Sequence, residues 1–382
     1  MLIRDALIYG EDFHPQRGDL AVRGGKIAAI GEHLDPGAWG EVLDARGARL
    51  APGFIDIHVY GGLGYGVADG DTASLDALSR LLASQGVTSF CPATGAFAPE
   101  ALESSFRAVG TYMGQERGAY IHGVHMAGPY IAAAQRGAQD ARHVRWPSAE
   151  ELHRLRRHAP IAVLGMAPEL PGALALAREF APRSRVAFAH STATYEEARA
   201  GIEAGFSHAS RLFCDMPALH HRAPGLAGAV LDDPHITAEL VCDGVHLHPA
   251  TVRMALRLLG EDRAVAVSAA AAAAGLPEGA YRIHGVEYYR AGGAVFVDQG
   301  RTLAGGSASL YDGFRNLLSC GIEENVALRA ASINPARVVN VHDRTGSVAV
   351  GKAADLLLAD EDWRLRAVMI CGILQDGLQV GS

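Results

Sequence analysis

Pro52-Gly53-Phe54-Ile55-Asp56-Ile57-His58-Val59-Tyr60-Gly61-Gly62 begins the central part of the chain. A Pro-Gly turn leads into Phe54, Ile55, Ile57 and Val59, and a Gly-Gly pair ends the run, which is how a strand buried on both faces reads. On a strand, residues i and i+2 share a face, so His58 and Tyr60 project the same way. Seven further apolar runs follow: Val87–Pro92, Tyr120–Met126, Ala162–Ala167, Val186–His190, His208–Phe213, Glu239–Cys242 and Ala264–Ser268. Amphipathic stretches such as Thr72–Gln85, Ala149–His158, Tyr195–Ala204 and Pro249–Leu259 separate most of them.

Eight β/α units in series predict an α/β fold, a (β/α)8 TIM barrel whose site lies at the strand C-terminal ends. The competing open, doubly wound sheet would place a G-x-G-x-x-G after an early strand, and none is present. Outside the barrel the pattern changes to short strands and turns. Ala6-Leu7-Ile8-Tyr9, Asp19-Leu20-Ala21-Val22 and Lys26–Ile30 lead in, with Gly24-Gly25 as a hairpin turn, and Ala354–Leu358 and Val368-Met369-Ile370 close. The expected organisation is a small β-sandwich domain made by both termini, residues 1–50 and 345–382, around a barrel of residues 51–344.

Of 382 residues, 49% are hydrophobic and 20% charged, which suits a folded protein rather than a disordered one. The net charge of −8 argues against a protein governed by contacts to nucleic acid or an anionic membrane. The start, Met1-Leu2-Ile3-Arg4-Asp5, is charged where a signal peptide would be apolar. Ala264–Leu276, the longest apolar candidate, is far short of the roughly 20 residues that span a bilayer. Five scattered cysteines without a C-x-x-C pair fit a reducing compartment, so a cytoplasmic location is expected.

Polar residues gather where the barrel reading needs them: His58 and Tyr60, then His125-Met126-Ala127-Gly128-Pro129, His190-Ser191, Ser210–Asp215, Asp243-Gly244-Val245-His246 and Ser268-Ala269. Together with Gly86-Val87-Thr88-Ser89-Phe90, Arg136-Gly137-Ala138-Gln139, Ala193–Ala198, Met216–Arg222, Ala273–Gly279 and Asn334-Pro335-Ala336, the chain resembles the N-acetylglucosamine-6-phosphate deacetylases of the amidohydrolase superfamily. The resemblance implies a divalent metal, which polarises the amide and lowers the pKa of a bound water to about 7. It also implies a strand-three Glu, a strand-five His and a strand-six His as ligands, a strand-one His-x-His pair, and a strand-eight Asp as general acid and base.

Carried over position by position, much of that set is replaced. His58 and His190 remain as vestigial ligands, while Tyr60, Ala127 and Arg211 stand at lost ligand positions and Ala269 at the lost catalytic acid. Alanine has no lone pair and arginine brings a permanent positive charge, so no cofactor is expected beyond a weakly bound divalent metal. An engineered knockout would leave alanines at 127 and 269 but would not create Tyr60 and Arg211. The substrate side is better kept. Arg222 and His246 match the family's phosphate holders, Gln139 matches a substrate contact, and Cys214-Asp215 replaces the Asn-Ala pair that recognises the acetylated sugar. An arginine lent across subunits in the family implies a homodimer.

Candidate catalytic residues are therefore His58, Tyr60, His190, Arg211 and Asp215, and candidate substrate-binding residues Gln139, Cys214, Arg222 and His246. Arg211, set among apolar neighbours, needs an anion in Asp215, Asp243 or a ligand. Three readings stay open on sequence. One is a metal-free enzyme acting on a small anionic sugar-like substrate by isomerisation, elimination or cyclisation. The others are a pseudoenzyme that binds a sugar phosphate or a partner without turnover, and an ordinary deacetylase with an unrecognised ligand set or in knockout form.

Overall fold

A computed structural model describes residues 1–375. Barrel strands one to eight are Phe54–Val59, Val87–Thr94, Val124–Met126, Ile161–Met166, Arg185–Phe188, Phe206–Ala209, Thr237–Val241 and Ala264–Val267, paired in parallel from the first to the eighth. Strands eight and one meet without a regular ladder. Tyr60 and Gly61 donate their N–H groups to the Ala270 carbonyl at 3.0 Å, and the Asp56 carboxylate accepts from Ser268 N–H at 3.3 Å and from His58 N–H at 3.3 Å. Asp56 thus closes the seam. Burial pushes its carboxyl up to about 7, against the pull of those donors.

The helices lie where amphipathic spacing puts them, and side-chain caps set several starts. Thr194 and Glu197 form a capping box for Tyr195–Ala204, as Ser309 and Asp312 do for Leu310–Ser319, and Asp71 caps Thr72–Ser84. Each satisfies orphan N–H groups at its helix start.

Both termini enter one sheet, in the order Ile373–Leu374, Leu365–Ile370, Leu356–Ala359, Arg49–Pro52, Leu2–Tyr9, Pro15–Arg23, Lys26–Gly31, with Val42–Asp44 beside Leu2–Tyr9. Gly24 and Gly25, at φ 59° and 76°, make the tight turn that L-residues with side chains resist. Residues 376–382 of the expected terminal unit lie outside the described residues. Phe54 packs on Tyr311 and Phe314, and Phe314 packs edge-on against Trp363, with centroid separations of 4.9–5.4 Å, joining this layer to the barrel wall.

Two features depart from the expectation. Strand six ends at Ala209 instead of continuing to Phe213, because Arg211, Phe213 and Asp215 take positive φ. A four-stranded antiparallel meander, Gly279–Ile283, Val286–Ala291, Ala294–Val297 and Thr302–Leu303, follows strand eight where no sheet was foreseen. Its apolar side, Val295 and Val297, packs on Ala271, Ala273 and Ala304, and His284 pairs with Asp69 at 2.7 Å. No helix among the described residues is long and apolar enough to cross a membrane.

Candidate active site

The barrel carries two polar layers, one sealed and one at the mouth. In the sealed layer, His58, His125, His208 and Glu239 are all 0% exposed. The Glu239 carboxylate accepts from His58 Nδ1–H at 2.7 Å, His208 Nε2–H at 3.2 Å and the Arg211 backbone N–H at 3.1 Å. With Nδ1 protonated, His58 accepts at Nε2 from the Tyr60 hydroxyl at 3.0 Å. His125 donates Nδ1–H to the Ile57 carbonyl at 2.8 Å and accepts at Nε2 from Ser210 Oγ at 3.2 Å. Burial pushes the Glu239 carboxyl up, but His58, His125 and the donated hydrogen bonds outweigh it and hold it well below the carboxylate range.

The mouth layer centres on Arg211. Its Nη2 donates to His190 Nε2 at 2.7 Å and to Asp215 Oδ2 at 2.5 Å. A guanidinium can only donate, so His190 is neutral at Nε2 and carries its proton on Nδ1, which it gives to the Gln135 carbonyl at 2.8 Å. Burial, then the Arg211 charge, brings His190 down to about 4. Burial opposes the Arg211 charge, but Asp215 and its neighbours more than restore it. Asp215 is pushed up by burial and held low by Arg211, His190 and His246. The backbone is bent to build this cluster: φ is 45° at His190, 47° at Arg211, 72° at Phe213, 51° at Asp215 and 45° at Ala269. Non-glycine residues in that region store strain and collect at functional sites. Gly137 is required beside them, since a Cβ there would strike the Asp215 carboxylate.

The other expected residues divide. Tyr60 faces the same cluster, with burial raising its hydroxyl to about 12. Gln139 is a bracing group: Nε2 reaches His190 Nε2 at 2.8 Å and the Ala127 carbonyl at 3.1 Å, while Oε1 accepts from Ala96 N–H at 2.6 Å. Cys214 stays a thiol, raised by burial to about 11, so it is no nucleophile. His246 Nδ1 is tied to Asp243 at 2.8 Å, and its charge is among those that hold Asp215 low. Arg222 stands apart, exposed, with Nη1 on His221 Nε2 at 2.9 Å.

A model described as the amidohydrolase family matches residues 49–374. The chain is 33% identical to the N-acetylgalactosamine-6-phosphate deacetylase of Escherichia coli O157:H7, over 93% of this chain and 94% of that protein. It is 32% identical to the N-acetylglucosamine-6-phosphate deacetylase of Vibrio furnissii, over 96% and 93%. This chain belongs to the N-acetylglucosamine-6-phosphate deacetylase family of amidohydrolases. The deacetylase of that name from Pasteurella multocida superposes with a TM-score of 0.92 at 27% identity, covering 98% of this chain and 99% of that one. An aspartate-to-alanine variant of the Mycobacterium smegmatis deacetylase, in complex with N-acetyl-D-glucosamine-6-phosphate, gives 0.89 at 29%, covering 98% of each chain.

A divalent metal belongs to this family's chemistry, and the two layers meet that demand differently. At the mouth the donors do not fit. The His190 Nε2 lone pair is taken by a guanidinium, Ala127 and Ala269 are buried without a donor, and a cation would face the fixed charge of Arg211. In the sealed layer the expectation of no metal group needs correcting. His58, His125 and Glu239 bring one donor atom each to within 4.8 Å of one another, a set of two imidazoles and a carboxylate that can hold a divalent transition metal. As folded, each of these side chains is already hydrogen-bonded, so an ion there displaces protons instead of filling a gap. His125, His208 and Glu239 are not among the candidates that the sequence names, although His125 stands among its strand-end polar residues and Glu239 is an acid inside the apolar run of strand seven.

Stability is expected to fall as the solution is acidified from pH 6.5 to 5. Burial lowers His122 to about 4, His125 to about 3 and His190 to about 4. Depressed histidines are neutral in the fold and protonated when unfolded, so their contribution is complete above pH 6.5 and shrinks below it. Burial lowers His58 as well, and Asp56, raised to about 7, works the other way and offsets one proton of the four. The net uptake of three protons on unfolding corresponds to at most on the order of 4 kcal/mol per pH unit. Urea unfolding at a series of pH values checks it, and a flat profile between pH 5 and 6.5 would contradict the neutral-histidine assignment.

Proposed function

We propose that the protein binds a hexosamine 6-phosphate, or a close anionic analogue, in the barrel mouth and acts on it by metal-independent acid–base chemistry. The observation that carries this reading is the Arg211 guanidinium seated on His190 Nε2 at 2.7 Å, at the position where the family holds a cation. Fixed there, its charge supplies what the family draws from its metal: stabilisation of an oxygen that becomes negative during reaction, in a buried setting where such charges act strongly. Tyr60, donating to His58 Nε2, is the hydroxyl at hand to pass a proton. His246 receives the phosphate at the mouth, and Arg222, which stands apart in its own chain, reaches it only across the expected homodimer. Isomerisation, elimination or cyclisation of an aminosugar phosphate needs these elements and no hydrolytic water. The names of the similar proteins support the substrate class, and five free cysteines fit a cytoplasmic setting, with a homodimer as the expected assembly.

The His58, His125 and Glu239 group favours a second reading, hydrolytic deacetylation with a divalent ion in the sealed layer. Proton NMR of the protein with N-acetylglucosamine 6-phosphate and N-acetylgalactosamine 6-phosphate, beside elemental analysis, separates the two. The first reading expects a new sugar product without acetate, indifferent to chelator, and far less than one metal equivalent. Acetate release abolished by chelator and by His125→Ala would replace it with the second. Saturable binding without any product would leave a binding protein.

A further inference from the structure

Arg211 is 8% exposed and has five N–H donors, yet among the described residues only Nη2 is engaged, by His190 and Asp215. Nε and Nη1 have no acceptor among the described residues. A buried guanidinium needs an anion, and in the protein alone that anion is Asp215, whose side chain is 22% exposed on a strained backbone. His190, with Nδ1 3.6 Å from Asp215 Oδ2, and His246 flank the same carboxylate. A neutral acetamide would leave most of this donor set unmatched, whereas a carboxylate fits the planar fork of an arginine with two parallel bonds. Ala127 and Ala269 add no negative charge that would repel it.

We propose that the substrate carries a carboxylate, and that Arg211 receives it at the place Asp215 holds in the free protein. The ligand class is a sugar acid phosphate: phosphate toward His246, carboxylate on Arg211. This rests on the proposed function for its phosphate end and goes beyond it in naming the second anion. Asp215 acts as a placeholder that keeps the buried charge compensated until the ligand displaces it.

Calorimetry on the full chain tests this with inorganic phosphate, N-acetylglucosamine 6-phosphate, gluconate 6-phosphate and 2-amino-2-deoxygluconate 6-phosphate. The acids are expected to bind at least about tenfold tighter than the neutral sugar phosphate, a difference of about 1.4 kcal/mol. Asp215→Asn removes the competing anion and is expected to tighten the acids about threefold or more without helping the neutral sugar. Arg211→Lys, checked for folding by circular dichroism, is expected to erase the preference. If the neutral sugar phosphate binds as tightly as the acids, or Asp215→Asn weakens the acids, this inference falls and the proposed function stands. If nothing on the panel binds, both fall.

Discussion

Acetate release from N-acetylglucosamine 6-phosphate in the presence of added zinc is expected to lie at least about 10²–10⁴-fold below an ordinary enzymatic rate. That range is what one missing general acid or base is worth. On the proposed reading that position is Ala269, buried, with its backbone at φ 45°. Ala127 is buried as well, and it offers no donor atom where the family places a glutamate. Replacing all three together, Ala127→Glu, Arg211→His and Ala269→Asp, is expected to raise the rate by about 10² or more. Single replacements should do little, since catalytic groups that act as a unit are not additive. A coupled acetate assay on the wild type, the three single variants and the triple variant reads the result. Wild-type turnover in the ordinary range would show that hydrolysis survives through other residues.

Glu239→Ala is expected to cost about 3 kcal/mol of stability or more, because three buried donors lose their acceptor at about 1–3 kcal/mol each. His58 Nδ1–H, His208 Nε2–H and the Arg211 N–H would all lose their acceptor in a layer that water does not reach. Glu239→Gln keeps an acceptor oxygen and should fall between the two. Urea midpoints of the three proteins, without added metal and again with zinc, measure it. An unchanged midpoint for Glu239→Ala would mean that the carboxylate does not hold the layer. A wild-type midpoint that rises with zinc and falls back in Glu239→Ala would mark the sealed group as a working ion site.

The expectations for Arg211 and Cys214 show where reading residues one by one stops. That a buried arginine at a barrel mouth would take an acid was legible, because an unpaired charge there is too costly. That the acid is Asp215 depended on the chain turning back through positive φ at Arg211, Phe213 and Asp215, where a strand to Phe213 was expected. Cys214, next in sequence to Asp215 and expected beside the substrate, has its thiol raised by burial to about 11. Gln139 matched a substrate contact and is spent on bracing His190 and the strand-three carbonyl.

The sequence by itself determined the barrel and the terminal sheet, and which donors and charges Tyr60, Ala127, Arg211 and Ala269 bring. Strand and helix periodicities are local, and a residue's capacity to donate, accept or carry charge is its own. Only the tertiary structure decided that His58 meets Glu239 across 181 positions, that His125 and His208 complete that sealed layer, and that Arg211 rests on His190. Those contacts exist because eight strands close on one another, and no local pattern records which side chains a closed barrel turns toward its axis at the same height.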